Sequence, residues 1–517
     1  MPYRHDPHEL LGRGIYRLSG ANNPEWPEGA LQFANNIVYD RSSQEPEKMR
    51  GYTLLGDDVN GTVSGLFDYS EGTEMIATSE DGGIYKRTTG NWSAVSGGAA
   101  GTFTTTANKR WEGVMFYGAV TEDNLLILTN NDTSDAPQKY TSGAGISALG
   151  GSPPATGRFP TPAFGRVWMS VDDTIFYSAA DNVENFAGGG SFQIDRGTGS
   201  ITGLREFMGN LIIFKRNHIF RLSSGDTLSS AVIKRISGTL GTQAVHTIQE
   251  TSGSFRSGSL LFQSDEGIHE MVPTLATGGF FVRNAGEWVK PISDRRDKTN
   301  QDMNWSTYNP SRGEYWWQYT LDDAQPDEGL IGNVAGGGKN TAPRWTTHDL
   351  RNRTAGAMVR VDGELIQIMG DANGTVFKMN SGDDRNGASY TGSITTAAYS
   401  QNYRGSMKKY GRIYLDAETE GTYSLTVHTQ LGRSGLPIPG GNSNSPGGFG
   451  DAAGWADGEW GVAMWGGATV SGNWFRIGSV RRGSYIMIRI QSTSADQWFK
   501  LNGLDIEYVR RRYILAA

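Results

Sequence analysis

Cysteine is absent from all 517 residues, which excludes disulfides, thiolate metal sites and cysteine nucleophiles together. Stability must come from burial and strand pairing. Histidine is scarce: seven residues stand at 5, 8, 218, 246, 269, 348 and 428, and only His5 and His8 are close enough in sequence to suggest a metal pair. Long apolar runs are missing as well. Stretches such as residues 211–214 hold a handful of apolar side chains, far short of the roughly 20 that cross a bilayer, so no membrane-spanning segment is expected. The opening Met-Pro-Tyr-Arg-His-Asp-Pro-His lacks the apolar stretch of a secretory signal, and synthesis and assembly in the cytoplasm are the expectation. Charged residues make up only 20%, with 47 Lys and Arg against 54 Asp and Glu for a net charge of −7. That balance argues against tight wrapping of nucleic acid, which needs clustered Lys and Arg; a mildly acidic wall could still face DNA without gripping it. No stretch sustains apolar spacing at i, i+3, i+4 and i+7, so helix should be scarce.

What the chain does have is glycine, 71 residues of it, and a phrase recurring at intervals of about 40 to 55 residues. Each copy is an apolar strand, a polar turn, an aliphatic residue, an aromatic or imidazole side chain and a second strand. Clear copies begin at Met75, Arg166, Leu211, Leu260 and Leu365; a looser one begins at Leu125, and another covers Tyr315 to Val334. Two apolar runs joined by Asp, Asn and Gly form a hairpin, because those residues tolerate the positive φ of a tight turn. The period fits four-stranded blades, and the reading is an all-β chain built on a β-propeller of about seven blades, with six to eight allowed by the spacing. Each phrase is read as the inner part of one blade.

The repeat covers residues 63–389. Residues 1–62 do not carry it and read as an N-terminal arm. After a composition break at residues 380–387 the strands lengthen and alternate, as in Gly411 to Ala417, Thr422 to His428 and Tyr485 to Gln491; residues 390–517 therefore read as an antiparallel β-sandwich. Within it, the Gly-, Ser- and Pro-rich stretch 435–450 cannot bury enough apolar surface to order itself alone.

Sites of chemistry are hard to find. His218 and His269 take the place of Tyr85, Phe176 and Phe377 in other copies of the repeat, which reads as packing. Gly336 to Thr341 has Asn333 and Asn340 where a phosphate loop needs Gly and Ser or Thr. Carboxylate pairs sit in turns, at Asp57 and Asp58, Asp172 and Asp173, Asp322 and Asp323, and Asp383 and Asp384. A propeller mouth can host paired acids for glycoside cleavage, but turn aspartates more often bond their own backbone. No catalytic residue, metal site or cofactor is assigned. The phrase Ser79 to Tyr85 resembles the Asp-box hairpin of sialidase-like propellers, a structural signature. Two clusters stand out as interface or channel candidates. Phe449, Trp455, Trp460 and Trp465 are spaced to suit neither a helix face nor a strand face, which fits a sandwich end-cap, a protein interface or a carbohydrate platform. Arg510, Arg511 and Arg512 could meet phosphate or a neighbouring subunit's carboxylates, or simply be solvated.

The order of parts resembles tail proteins of double-stranded DNA bacteriophages, in particular the propeller-bearing nozzle or hub proteins of short-tailed phages. The likeness rests on Gly29-Ala-Leu-Gln-Phe-Ala-Asn-Asn-Ile-Val-Tyr-Asp40 with Arg50-Gly-Tyr52, on Gly165-Arg-Val-Trp-Met-Ser170 and the run from Leu204 to Lys215 with His218-Ile-Phe-Arg221, and on Lys409-Tyr-Gly-Arg-Ile-Tyr414 with Leu501 to Tyr508. It implies a virion protein without enzymatic activity: a homo-oligomeric ring, commonly of six, below the portal and its adaptor, contacting tail fibre or spike proteins. Such a ring retains the genome and later passes double-stranded DNA. Two rivals remain, a propeller glycosidase or depolymerase and a host-receptor or glycan-binding propeller.

Overall fold

A computed structural model describes residues 4–8, 13–16, 29–117, 124–224, 228–251, 258–274, 279–321, 325–334, 343–399, 406–420, 425–432, 442–444, 473–476, 482–493 and 498–510. Seven antiparallel four-stranded sheets, the sixth of them part of a larger sheet, follow one another as the blades of a propeller. The first strands of the blades are Val63–Tyr69, Trp111–Phe116, Arg158–Ala163, Ile201–Phe207, Gln249–Thr251, Trp305–Asn309 and Arg353–Val361. They meet side by side around a central axis, the last returning to the first, with the short turn Val245–Thr247 set between blades four and six beside the fifth. The recurring phrase forms the second and third strands of every blade, including the looser copies at Leu125 and Tyr315. It is the middle of the blade, and the innermost strand precedes it.

The local chemistry explains the repeats. First and second strands in blades three, four and seven are joined by the two-residue turns Phe164-Gly165, Met208-Gly209 and Asp362-Gly363, both residues at positive φ each time. That is the turn geometry whose twist matches a hairpin, and glycine enters its second place without strain. Second strands such as Glu74–Ser79, Ser259–Ser264 and Glu314–Tyr319 are buried along their whole length, since a blade has a neighbour on each face. One apolar cluster therefore fills each gap. Ile76, Ile84, Leu126 and Leu128 lie between blades one and two, Trp168, Ile175, Leu211 and Ile213 between three and four, and Leu66, Ala77, Val359 and Ile368 close the circle between seven and one.

The segment expected as an N-terminal arm is built into both halves of the molecule. Tyr52–Leu54 pairs antiparallel with Val376–Met379 and is the fourth strand of blade seven. Leu31–Asn35 pairs in parallel with the outer strand of blade six, Arg344–His348, and antiparallel with Gly392–Thr396. From there the sheet runs on through Tyr485–Ser492, Thr426–Gly432 and Asn442–Asn444, so blade six and one layer of the sandwich form a single nine-stranded sheet. Asn36, at φ 54°, turns the chain into the second layer, where Ile37–Tyr39, Pro46–Lys48, Trp498–Arg510, Lys408–Glu420 and Asn473–Arg476 lie in order. Leu31, Ile394, Ile413, Ile488, Phe499 and Ile506 fill the space between the layers, in one core with Trp317 and Trp345 of blade six. Arg312 clamps the N-terminal hairpin to blade six by bridging the buried carboxylates of Glu47 and Glu314.

Closure depends on a close approach at Gly51, where an added Cβ would lie 1.6 Å from the backbone oxygen of Asp384. Gly51→Ala is expected to lift the closing strand and lower stability in urea by about 3 kcal/mol, with faster hydrogen exchange over residues 376–379. The exposed neighbour Thr53→Ala should stay within about 0.5 kcal/mol. Equal behaviour of the two variants would show that closure does not hold the ring.

Candidate functional site

A cavity of about 430 Å³ lies on the propeller axis, lined by the first strands of all seven blades. Crowding there explains the composition of those strands. A Cβ at Gly113 would sit 2.6 Å from the ring of Phe67, and one at Gly356 would sit 2.3 Å from the ring of Trp305, so small residues give way to the aromatic rings that narrow the bore. Register shifts interrupt the first strands of blades one, three, four and seven near their starts, where bulges re-aim side chains.

Charged groups occupy the bore in compensating sets. Arg110, immediately before the first strand of blade two, reaches across the axis and donates to the carbonyls of Thr354 in blade seven and Met303 ahead of blade six. Its charge is balanced by Glu80 and Asp302 nearby; burial still pulls it down to about 10. Arg158 of blade three pairs with Glu112 of blade two, whose other oxygen accepts from Phe159 N at 3.1 Å and Thr129 Oγ1 at 3.1 Å. Arg205 is exposed to the channel yet closely surrounded by protein; desolvation lowers its pKa, while Glu250 and Glu206 raise it. His246, half-buried in the turn before blade five, is pushed down to about 3 by burial and then by Arg110 and Arg158.

The turn carboxylates have structural partners. Asp81 Oδ1 accepts from Gly83 N at 2.8 Å and Asp81 Oδ2 from the Tyr85 hydroxyl at 3.0 Å, locking the Asp-box-like hairpin. Asp371 does the same in blade seven, accepting from Asn373 N and Thr375 N at 2.9 Å. Asp173 accepts from Gln193 Nε2 and Thr174 Oγ1, Asp383 pairs with Arg50, and Asp384 accepts from Gly387 N. Asp57 and Asp58 are exposed; Asp322 and Asp323 lie outside the described residues, as does Gly336 to Thr341. His269 is buried with Nδ1 3.0 Å from Ser264 Oγ and its ring stacked on Phe262; His218 stacks on Phe220. No group of three or more His, Asp or Glu side chains that could hold a metal ion occurs among the described residues, and no helix among them is long and apolar enough to cross a membrane.

Of the interface candidates, Phe449, Trp455, Trp460, Trp465, Arg511 and Arg512 lie outside the described residues. Arg510 ends the strand Trp498–Arg510, exposed and opposite Lys408 in register. Burial, then the charge of Arg510, pulls Lys408 down to about 8, and its Nζ donates to Ser484 O at 2.7 Å. The axial cluster of Arg110, Glu112, Arg158, Arg205 and His246 had no sequence motif, because its members come from blades two, three and four and the turn before blade five.

Two outcomes follow from this geometry. Arg110→Met strands two buried carbonyls and should cost about 3 kcal/mol of stability, read from urea unfolding. His246 and His348, the latter also pushed by burial to about 3, are neutral in the folded chain where the unfolded chain is charged. The unfolded state then binds more protons between pH 6.5 and 3, so stability should fall as pH drops through that window and be unaffected by these groups above it. His246→Gln and His348→Gln should each flatten the slope by up to one proton; an unchanged slope in both would refute the assignment.

No protein-family model matches the chain, and no curated protein matches it. Among solved structures, one described as "Structure of U3-55K" is similar over 64% of this chain and 98% of that chain, at 8% identity and a TM-score of 0.41.

Proposed function

We propose that this chain is a non-enzymatic wall subunit of a bacteriophage tail, a nozzle or hub protein. Several copies, on the expectation of six, ring the DNA exit path below the adaptor and portal, retain the genome and pass it during ejection. The observation that carries the reading is the solidity of the body. Its axial space is about 430 Å³ and is crossed by Arg110, whereas the major groove of a duplex alone is about 12 Å wide. DNA has no route through the propeller, so any conduit lies between copies. One nine-stranded sheet and one shared apolar core join propeller to sandwich, which suits a subunit that must keep its shape under the pressure of a packaged genome. The net charge of −7 supports sliding over gripping, since a basic lining would hold phosphates through counterion release. A closed ring uses two different faces of each subunit, and a propeller with a laterally fused sandwich offers them.

The glycosidase reading has less support, because Asp81, Asp173, Asp371, Asp383 and Asp384 are each engaged by a neighbouring backbone or side-chain group and Asp57 and Asp58 stand exposed in their turn. The test is localisation and assembly. Virions labelled at the C-terminus should carry label on the tail axis in negative-stain images, and the purified chain, alone or with the adaptor, should form rings. Label on fibres with measurable glycan affinity would establish the receptor reading. A monomer that cleaves polysaccharide would establish the enzyme.

A further inference from the structure

One mouth of the axial channel opens into a second cavity of about 390 Å³ at the starts of the innermost strands. Its lining is rich in hydrogen-bond donors and poor in acceptors of charge. Arg110, Arg158 and His246 face it together with Gln243 and Thr202, and Asp302 is the sole carboxylate among the described residues around it. We propose that this mouth is a binding site for a small oxyanion, a phosphate or carboxylate group, held by Arg158 with His246 and Arg110 beside it. The inference goes beyond the wall function and does not need it.

Arg158 is built to receive such a group. Its Nη2 is fixed by Glu112 and its guanidinium lies over the Phe159 ring at 4.5 Å, so the planar fork is held before any ligand arrives. Nη1 has no partner among the described residues, and Nε is buried without one. A pre-placed guanidinium with spare N–H groups is the usual means of gripping a planar or tetrahedral oxyanion. Arg110 is 3% exposed, and its Nε is likewise buried without a hydrogen-bond partner. Burial first, and then the nearby Arg110 and Arg158, keep the His246 ring uncharged. The neutral ring can meet an anion with one N–H, beside the charge that Arg158 supplies. The volume of about 390 Å³ accommodates a small solute such as a phosphate ester or a di- or tricarboxylate.

The test uses the full chain and two probes, inorganic phosphate and citrate, titrated calorimetrically against potassium chloride at matched ionic strength. Binding should be saturable with Kd below about 1 mM; preference for one probe identifies the oxyanion class. The double variant Arg158→Gln/Glu112→Gln removes the cation without orphaning its carboxylate, and should bind at least about tenfold more weakly. Arg158→Lys, which keeps the charge and loses the fork, gives a second reading if the double variant is poorly folded, and should also weaken binding. With ¹³C-labelled histidine, the His246 Cε1 signal should shift with probe concentration while that of buried His348 stays fixed. Absence of saturable binding by both probes, unchanged affinity in the folded double variant or in Arg158→Lys, or an unmoved His246 signal would each overturn the proposal.

Discussion

A circle of sheets holds together only where its ends are joined, and here the join is three residues long. Without Tyr52–Leu54, blade seven would end in an open edge and the cluster between blades seven and one would rest on packing alone. Unpaired edges invite pairing with other chains. The strand is anchored on both sides: Gly51 N donates to Gly382 O at 2.8 Å, Tyr52 N to Asp384 O at 3.0 Å, and Arg50 pairs with Asp383. Arg353 supports it from within, its guanidinium 5.1 Å from the Tyr52 ring and 3.8 Å from that of Phe377. The loop closed by this pairing is more than 300 residues long, and because closure entropy grows only with the logarithm of length, burial of one more blade face suffices to offset it.

Once the circle is shut, each interface carries a polar tie as well as an apolar cluster. Thr354 Oγ1 donates to Val63 O between blades seven and one, Tyr69 to Asn124 O between one and two, and Thr161 Oγ1 to Leu204 O between three and four. Arg216 meets Asp265 between four and five, Gln249 donates to Ser306 O between five and six, and Gln367 to Thr307 between six and seven. Glu112 with Arg158 completes the round. Those that are buried, such as the Thr354, Tyr69, Thr161 and Gln367 bonds, are costly when half-satisfied and so reject slipped packings of neighbouring blades. Arg110 adds a tie across the axis where nearest-neighbour contacts give none.

The hairpins were readable because their signal is local: Asp, Asn and Gly at the turn, apolar residues on both sides, and a strand buried on both faces. The innermost strands were harder to see. Arg158-Phe-Pro-Thr-Pro-Ala163 and Val63-Ser-Gly-Leu-Phe-Asp-Tyr69 break alternation with Pro, Gly and bulges, all of which answer crowding at an axis that exists only in the folded ring. Tyr52-Thr-Leu54 is too short to carry a pattern, and its partner lies at the far end of the propeller. His269 does hold the blade position of Tyr85, Phe176 and Phe377 and is buried there, whereas in blade four that position is filled by Phe220, and His218 lies just before the strand with its ring stacked on that of Phe220. The axial cluster was illegible for the opposite reason: Arg110 and Glu112 come from blade two, Arg158 from blade three, Arg205 from blade four and His246 from the turn before blade five, and no spacing in the chain links them.

The same architecture separates what must be rigid from what is free to act. The pairing of Asn35 with Thr347 makes blade six the root of the sandwich, so a force on one layer of the sandwich enters the propeller through hydrogen bonds within one sheet rather than across a linker. A hinge between the two parts would have to break that ladder and open a core containing Trp317, Trp345, Ile413 and Ile488 together. Relative motion of propeller and sandwich is therefore the expensive response to load, and displacement of whole subunits against one another is the cheaper one. On the proposed wall function, yielding would fall between copies, at faces set by the outer strands of the blades and by the second layer of the sandwich, with the inside of each wheel unchanged.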